Sequence, residues 1–257
     1  MIIDHRFLET QWWGPRVDEE PTLLLLHEGL GCVALWRDFP EVLAEATGCG
    51  VFAFSRFGYG GSDPVPLPRP MHYMHDEALQ VLPRVWEQAG IRRAVLIGHS
   101  DGGSIAAIHA GAVRDPRVTG VVLIAAHFFV EDINIAAIRA IKANYEQGDL
   151  RPRLARYHSD VDMAFHGWND AWLDPRFRAF DITEQVARIE VPVLALQGAD
   201  DPYGTEAQLR VLERTATCPV GTRLIADARH APHIEARQAT LDAIVPFVRS
   251  VLMEATA

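Results

Sequence analysis

The chain has 257 residues, 49% of them hydrophobic and 23% charged, with a formal net charge of −10. That length is enough to bury the core of one α/β domain, and the composition excludes a largely disordered chain. The acidic balance, with no basic stripe, disfavours nucleic acid as a partner. No apolar run approaches the ~20 residues of a membrane span, and the opening "MIIDHRFLETQWWGP" has no signal-peptide pattern, so a cytoplasmic protein without a membrane partner is expected.

In chain order, a short N-terminal hairpin precedes "TLLLLHE" (22–28), a continuous apolar run expected of a strand covered on both faces. A helix follows from Leu35 to about Thr47, then a second buried strand in "GVFAFSRF" (50–57). "GYGGSDPVPLPRP" is too rich in Gly and Pro for anything but a loop, either bordering the entrance to a site or serving as a solvated connector. Helical spacing of Leu79, Leu82, Val85 and Trp86 predicts a helix over 71–89, stopped near Gly90. "RAVLIGHS" (93–100), "SIAAIHAGAV" (104–113) and "VTGVVLIAA" (118–126) continue as strand, helix and strand. This alternation predicts a mostly parallel sheet with right-handed crossovers.

The rhythm breaks from about Phe128 to Gln185, where aromatic-rich helical and loop patterns carry no strand. The expected organisation is therefore a core of residues 1–127 and 186–257 with an insertion at 128–185. The pattern resumes with a strand at 191–198, a helix near 205–216, a strand at 222–227 and a terminal helix at about 234–253. Three cysteines, Cys32, Cys49 and Cys218, stand at scattered spacings without a CxxC pair and are expected as buried fillers rather than ligands.

Gly98-His99-Ser100-Asp101-Gly102 fits G-x-S-x-G between an apolar strand and a helix, a turn that exposes a serine oxygen and leaves no space for side chains two residues to either side. A bland alternative is a serine that caps the helix. Serine needs a base, and the base an orienting acid. Downstream, "LQGADDPYG" supplies Asp200 and Asp201 after a strand, and "ADARHAPHIE" supplies His230 and His233 after the next. The pair His230 and His233 followed by Glu235 is too loose for a metal site without further ligands, so no metal is expected. His233 is expected to pack beside the site.

"LLLLHEGLG", "SRFGYGGSD", "GHSDGG", "LQGADDPYG" and "RHAPHIE", in that order, resemble the α/β-hydrolase superfamily, specifically its serine hydrolases with a short lid after the sixth strand of the core. The resemblance covers nearly the whole chain. It implies an α/β-hydrolase fold, with a mostly parallel sheet flanked by helices and 128–185 as a small helical lid. It also implies Ser100 as nucleophile, His230 as base and Asp201 as acid, with Asp200 the runner-up. The oxyanion donors implied are the backbone N–H of Asp101 and that of Leu30 or Gly29. Two positions depart from the family pattern: Glu28 follows His27 where the family often has Gly, and Asp101 puts an acid beside the nucleophile, where it would repel substrate carboxylates or perturb His230.

The expected chemistry is acyl transfer to water without a cofactor, acting on a small-molecule ester and declining on acidification as the histidine base is protonated. Phe165, Trp168 and Trp172 are candidates for an apolar substrate pocket. A serine at this position disfavours haloalkane and epoxide chemistry, whose family members use aspartate there. Carbon–carbon, lactone and amide hydrolysis use the same triad, and a slow receptor-like protein retaining the fold is the alternative from another class. The oligomeric state is left open.

Overall fold

A computed structural model describes residues 1–16 and 21–254. Strands β1 (Ile2–Ile3) and β2 (Arg6–Phe7) form a small antiparallel hairpin. Seven further strands make one sheet: β3 (Thr10–Trp13), β4 (Thr22–Leu26), β5 (Val51–Phe54), β6 (Ala94–His99), β7 (Val118–Ile124), β8 (Val193–Gly198) and β9 (Val220–Ile225). Their order is β3-β5-β4-β6-β7-β8-β9, and every neighbouring pair is parallel except β3 with β5. The antiparallel edge strand β3 lies beyond the hairpin expected at the N-terminus; at four half-buried or exposed residues it is too short for alternation to reveal.

The helices are α1 (Phe39–Thr47), α2 (Tyr73–Asp76), running through a π turn at 77–81 into α3 (Leu82–Ala89), α4 (Asp101–Ile108), α5 (Asp132–Gln147), α6 (Leu150–Leu154), α7 (Val161–Leu173), α8 (Thr183–Ala187), α9 (Ala207–Thr215), α10 (Pro232–Glu235) and α11 (Arg237–Glu254). The pleat explains why β4 is uniformly leucine. Leu24 and Leu26 face the layer that includes α3, α4 and α9, whereas Leu23 and Leu25 face the layer of α1 and α11. All four are buried, and each contributes about 1.5–3 kcal/mol of burial free energy.

Between β7 and β8 the chain forms α5, α6, α7, a 3-10 turn (Pro175–Ala179) and α8. Local signals fix these helices. Glu131 and Asn134 close a capping box on α5, and the Asp160 carboxylate accepts from the Met163 N–H at the start of α7. On α7 the buried Val161, Ala164, Phe165, Trp168, Ala171 and Trp172 recur at helical spacing, while Asp162 and Asp170 lie on the open side.

The "GYGGSDPVPLPRP" loop is not a solvated connector over its first part. Gly58, Tyr59 and Gly60 are buried, and the Gly60 N–H donates to His158 Nδ1 at 2.9 Å, which ties the loop to the segment before α7. The expected terminal helix divides in two at Ala236, whose backbone (φ −132°, ψ 54°) is not helical. Of the cysteines, Cys32 and Cys49 are buried and Cys218 only partly so.

From β4 the chain goes to β5 on one side, then returns across β4 to β6 on the other. The carboxyl ends of β4 and β6 therefore diverge, which opens a crevice where ligands bind in open α/β sheets.

Candidate active site

Ser100 follows β6 and precedes α4 at that crevice. Its backbone is at φ 53°, ψ −119°, a region costly for a residue with a side chain. The turn is held by hydrogen bonds from the Ser100 N–H to the Ile124 carbonyl (2.8 Å) and from the Ser104 N–H to the Ser100 carbonyl (3.0 Å). A methyl group on Gly98 would lie 2.2 Å from the Gly102 carbonyl oxygen, and one on Gly102 1.9 Å from that of Leu26. Both glycines are thus required by the close approach of strand and helix, and the serine is more than a helix cap: its side chain makes no capping bond.

His230 Nε2 lies 2.9 Å from Ser100 Oγ, and His230 Nδ1 lies 2.9 and 3.0 Å from the two oxygens of Asp201. Asp201 is buried and Asp200 is exposed. The Asp201 carboxylate also accepts from Gln197 Nε2 and from the Tyr203 N–H (2.8 Å). Burial alone would push its carboxyl up, but the hydrogen bond and charge of His230 bring it below the ordinary value, so it faces the imidazole as an anion. A carboxylate there accepts from Nδ1–H, which leaves the Nε2 lone pair for the serine proton.

On the other wall, the loop after β4 is fixed through the Glu28 carbonyl. It accepts from His27 Nδ1 (2.7 Å) and from Arg56 Nη2 (2.8 Å). Because the peptide is trans, the Gly29 N–H points away from both donors, and it makes no hydrogen bond among the described residues. Gly29 and Leu30 line the cavity beside Ser100 and Asp101. Gly29 also has Trp168 packed on it, so that a methyl group there would lie 2.1 Å from the indole nitrogen.

The Asp101 side chain does not enter the crevice as a substrate-repelling charge. It is fully buried, accepting from Tyr73 Oη (2.5 Å) and Trp172 Nε1 (3.2 Å), with Arg56 Nη1 at 3.8 Å. Since Trp172 belongs to α7, the residue after Ser100 is fastened to the helical segment above it.

The cavity has a volume of about 130 Å3; its apolar lining includes Leu30, Ile138, Trp168, Trp172 and Tyr203. Two of the three aromatic candidates lie here. Phe165 does not: it is fully buried and stacks on Tyr145 at 3.6 Å between centroids, about one turn before Trp168 on the same stripe of α7. Its aromatic character marks the packing of α5 against α7 rather than a substrate wall.

Sequence reasoning did not single out Gln197, Tyr203 or His127. Gln197 carries a signal, being the one polar side chain in the apolar run of β8. Tyr203 sits inside the acid's own turn and covers His230 at 4.5 Å between rings. His127, just beyond β7, stacks over His230 at 5.8 Å, and burial together with the neighbouring His230 pushes it down to about 3, so it is a neutral wall. His233 packs against Trp36, Phe39 and His99, as a residue beside the site would.

A sequence model of the alpha/beta hydrolase family matches residues 23–243. The chain belongs to that family, and its fold is the α/β-hydrolase fold. Among characterised proteins it is similar to a non-heme chloroperoxidase of Streptomyces lividans, 29% identical over 227 residues that span 76% of this chain and 80% of that one. It is also similar to a bifunctional esterase/perhydrolase of Acinetobacter calcoaceticus, 26% identical over 218 residues, or 74% and 76% of the two chains. The fold matches the crystal structure of a proline iminopeptidase from Mycobacterium smegmatis with a TM-score of 0.78, at 17% identity over 98% of this chain and 97% of that one. The protein is a hydrolase of the alpha/beta family; no helix among the described residues is long and apolar enough to cross a membrane.

Proposed function

We propose that the protein hydrolyses small carboxylic esters through an acyl-enzyme on Ser100. The observation that carries this reading is the continuous chain from Ser100 Oγ to His230 to the buried Asp201, with both links at 2.9 Å, opening into an apolar cavity. Ser100 Oγ attacks the ester carbonyl carbon as its proton passes to His230 Nε2. His230 then gives that proton to the departing alkoxide as the carbon–oxygen bond breaks. A water, deprotonated in turn by His230, attacks the acyl-enzyme and releases the acid and Ser100.

The oxyanion is held by the Asp101 N–H at the start of α4 and, of the two residues expected on the other wall, by Gly29, whose N–H direction follows from the doubly bonded Glu28 carbonyl. A cavity of about 130 Å3 is close to the size that accepts a benzene-sized group, which favours short acyl chains. Its lining includes Glu28 and neither lysine nor arginine, which favours neutral substrates over carboxylates. The esterase activity named for the Acinetobacter relative supports the same bond type.

The test is the initial rate on p-nitrophenyl esters of increasing acyl length for wild type and Ser100→Ala. Turnover by the wild type on short chains, lost by at least ~10³-fold in the variant, supports the reading. Absence of turnover on every ester overturns it.

A further inference from the structure

Glu28 and His99 are not used by that mechanism, yet they join three of its loops. Glu28 opens the oxyanion loop after β4, and His99 immediately precedes the nucleophile. His99 Nε2 lies 2.7 Å from the backbone carbonyl oxygen of His230, the triad's base. A carbonyl only accepts, so Nε2 carries a proton. The opposite ring nitrogen, Nδ1, is buried and faces the Glu28 carboxylate, with Oε2 3.4 Å away. If His99 were neutral, Nδ1 would present a bare lone pair to that carboxylate, and the two would repel.

We propose that Glu28 and His99 are positioning residues: a carboxylate–imidazolium pair that clamps the oxyanion loop to the backbone of the base His230, with a second proton on His99 Nδ1. The proposal rests on the assignment of Gly29 and His230 above. Its consequence is geometric. Glu28 adjoins Gly29 directly and His99 adjoins Ser100, so the pair sets the separation between oxyanion donor, nucleophile and base.

The electrostatics agree. Burial would lower His99, but the Glu28 carboxylate beside it raises it above the ordinary histidine value, while His99 in turn holds Glu28 far below the usual carboxylate range. The other titratable groups facing the pair are His27 and Cys32 at the oxyanion loop, His127 after β7, His158 before α7, His230 and His233 after β9, and Asp201 after β8. Burial drives His27 and His233 well below the ordinary value, so both are neutral where His99 loses its proton. The sign follows: with its value raised, the imidazolium is intact below that value and the clamp is lost as pH rises through it.

The test is an NMR titration of the side-chain nitrogens of His99 in the full-length protein, alongside kcat on p-nitrophenyl acetate. The expected result is a His99 that is mostly doubly protonated at pH 6.5, where an ordinary histidine is half so, with kcat falling on the alkaline side at the pH where His99 titrates. Glu28→Gln offers an amide N–H to Nδ1, so its His99 is neutral with the proton on Nε2; that variant keeps more kcat than Glu28→Ala and loses the alkaline decline. A loss of packing alone would not move the decline in this way. A His99 in the wild type that is mostly neutral at pH 6.5, or a kcat that passes unchanged through the His99 titration, overturns the proposal. The NMR arm needs no substrate, so failure of the esterase reading leaves it standing as a separate result.

Discussion

Gly29→Ala places a methyl group 2.1 Å from Trp168 Nε1 and 2.3 Å from its Cδ1. Ordinary carbon contacts begin near ~3.5 Å, so loop and indole must part by about 1.4 Å. Gly29 has no left-handed backbone to strain, so the cost is steric alone. Trp168 is 7% exposed and sits on α7, whose buried face is packed along its length; much of the displacement therefore falls on the oxyanion loop. A shift of that order at a reacting centre costs roughly 10²-fold, and loss of an oxyanion donor about 10²–10³-fold. Gly29→Ala is expected to lower kcat on p-nitrophenyl acetate by about 10²-fold with a smaller change in KM. The double variant Gly29→Ala/Trp168→Ala, which removes the obstruction, should recover to within about tenfold of Trp168→Ala. A Gly29→Ala enzyme with wild-type kcat, or a double variant in which the two losses simply multiply, would refute the reasoning.

Asp201→Asn keeps the shape but not the acceptor pair that selects the Nδ1–H tautomer of His230, so kcat should fall by about 10³–10⁴-fold with KM little changed; steady-state kinetics decide it. Asp101→Ala leaves Arg56 buried without its carboxylate and removes the acceptor of Tyr73 and Trp172, a loss of about 3–5 kcal/mol by urea unfolding, larger than the ~1 kcal/mol expected for Tyr73→Phe. The buried histidines His27, His127 and His233 are all lowered in the folded state and regain ordinary affinity for protons on unfolding. Stability should therefore decline as pH falls below about 6.5, by up to about 1.4 kcal/mol per pH unit for each, and for His127 down to its folded value of about 3. Unfolding free energies that stay level between pH 6.5 and 5 would contradict this.

The parts of the site that were legible in the sequence are those where backbone geometry demands a residue type. Gly98 and Gly102 mark Ser100 because nothing larger fits, and the turns after β8 and β9 display Asp201 and His230 at strand ends, where such sheets present functional groups. Partners distant in the chain were not legible. Nothing near Glu28 announces His99, nor near Asp101 the indole of Trp172, because each pairing is made by the crossing of elements rather than by spacing. Phe165 misled for a related reason: on α7 it shares the stripe of Trp168 and Trp172, three and seven residues on, but it lies about a turn nearer the helix N-terminus, where Tyr145 of α5 covers it. β3 escaped because its pairing with β5, and not its own pattern, makes it a strand.

Ser100 as the nucleophile is tested most directly by covalent labelling of the intact protein with a fluorophosphonate, followed by peptide mass spectrometry. One adduct is expected, on the peptide containing Ser100, that forms in parallel with the loss of ester hydrolysis and is absent from Ser100→Ala. An enzyme that goes on hydrolysing esters with Ser100 labelled, or that is inactivated by an adduct elsewhere, would contradict it.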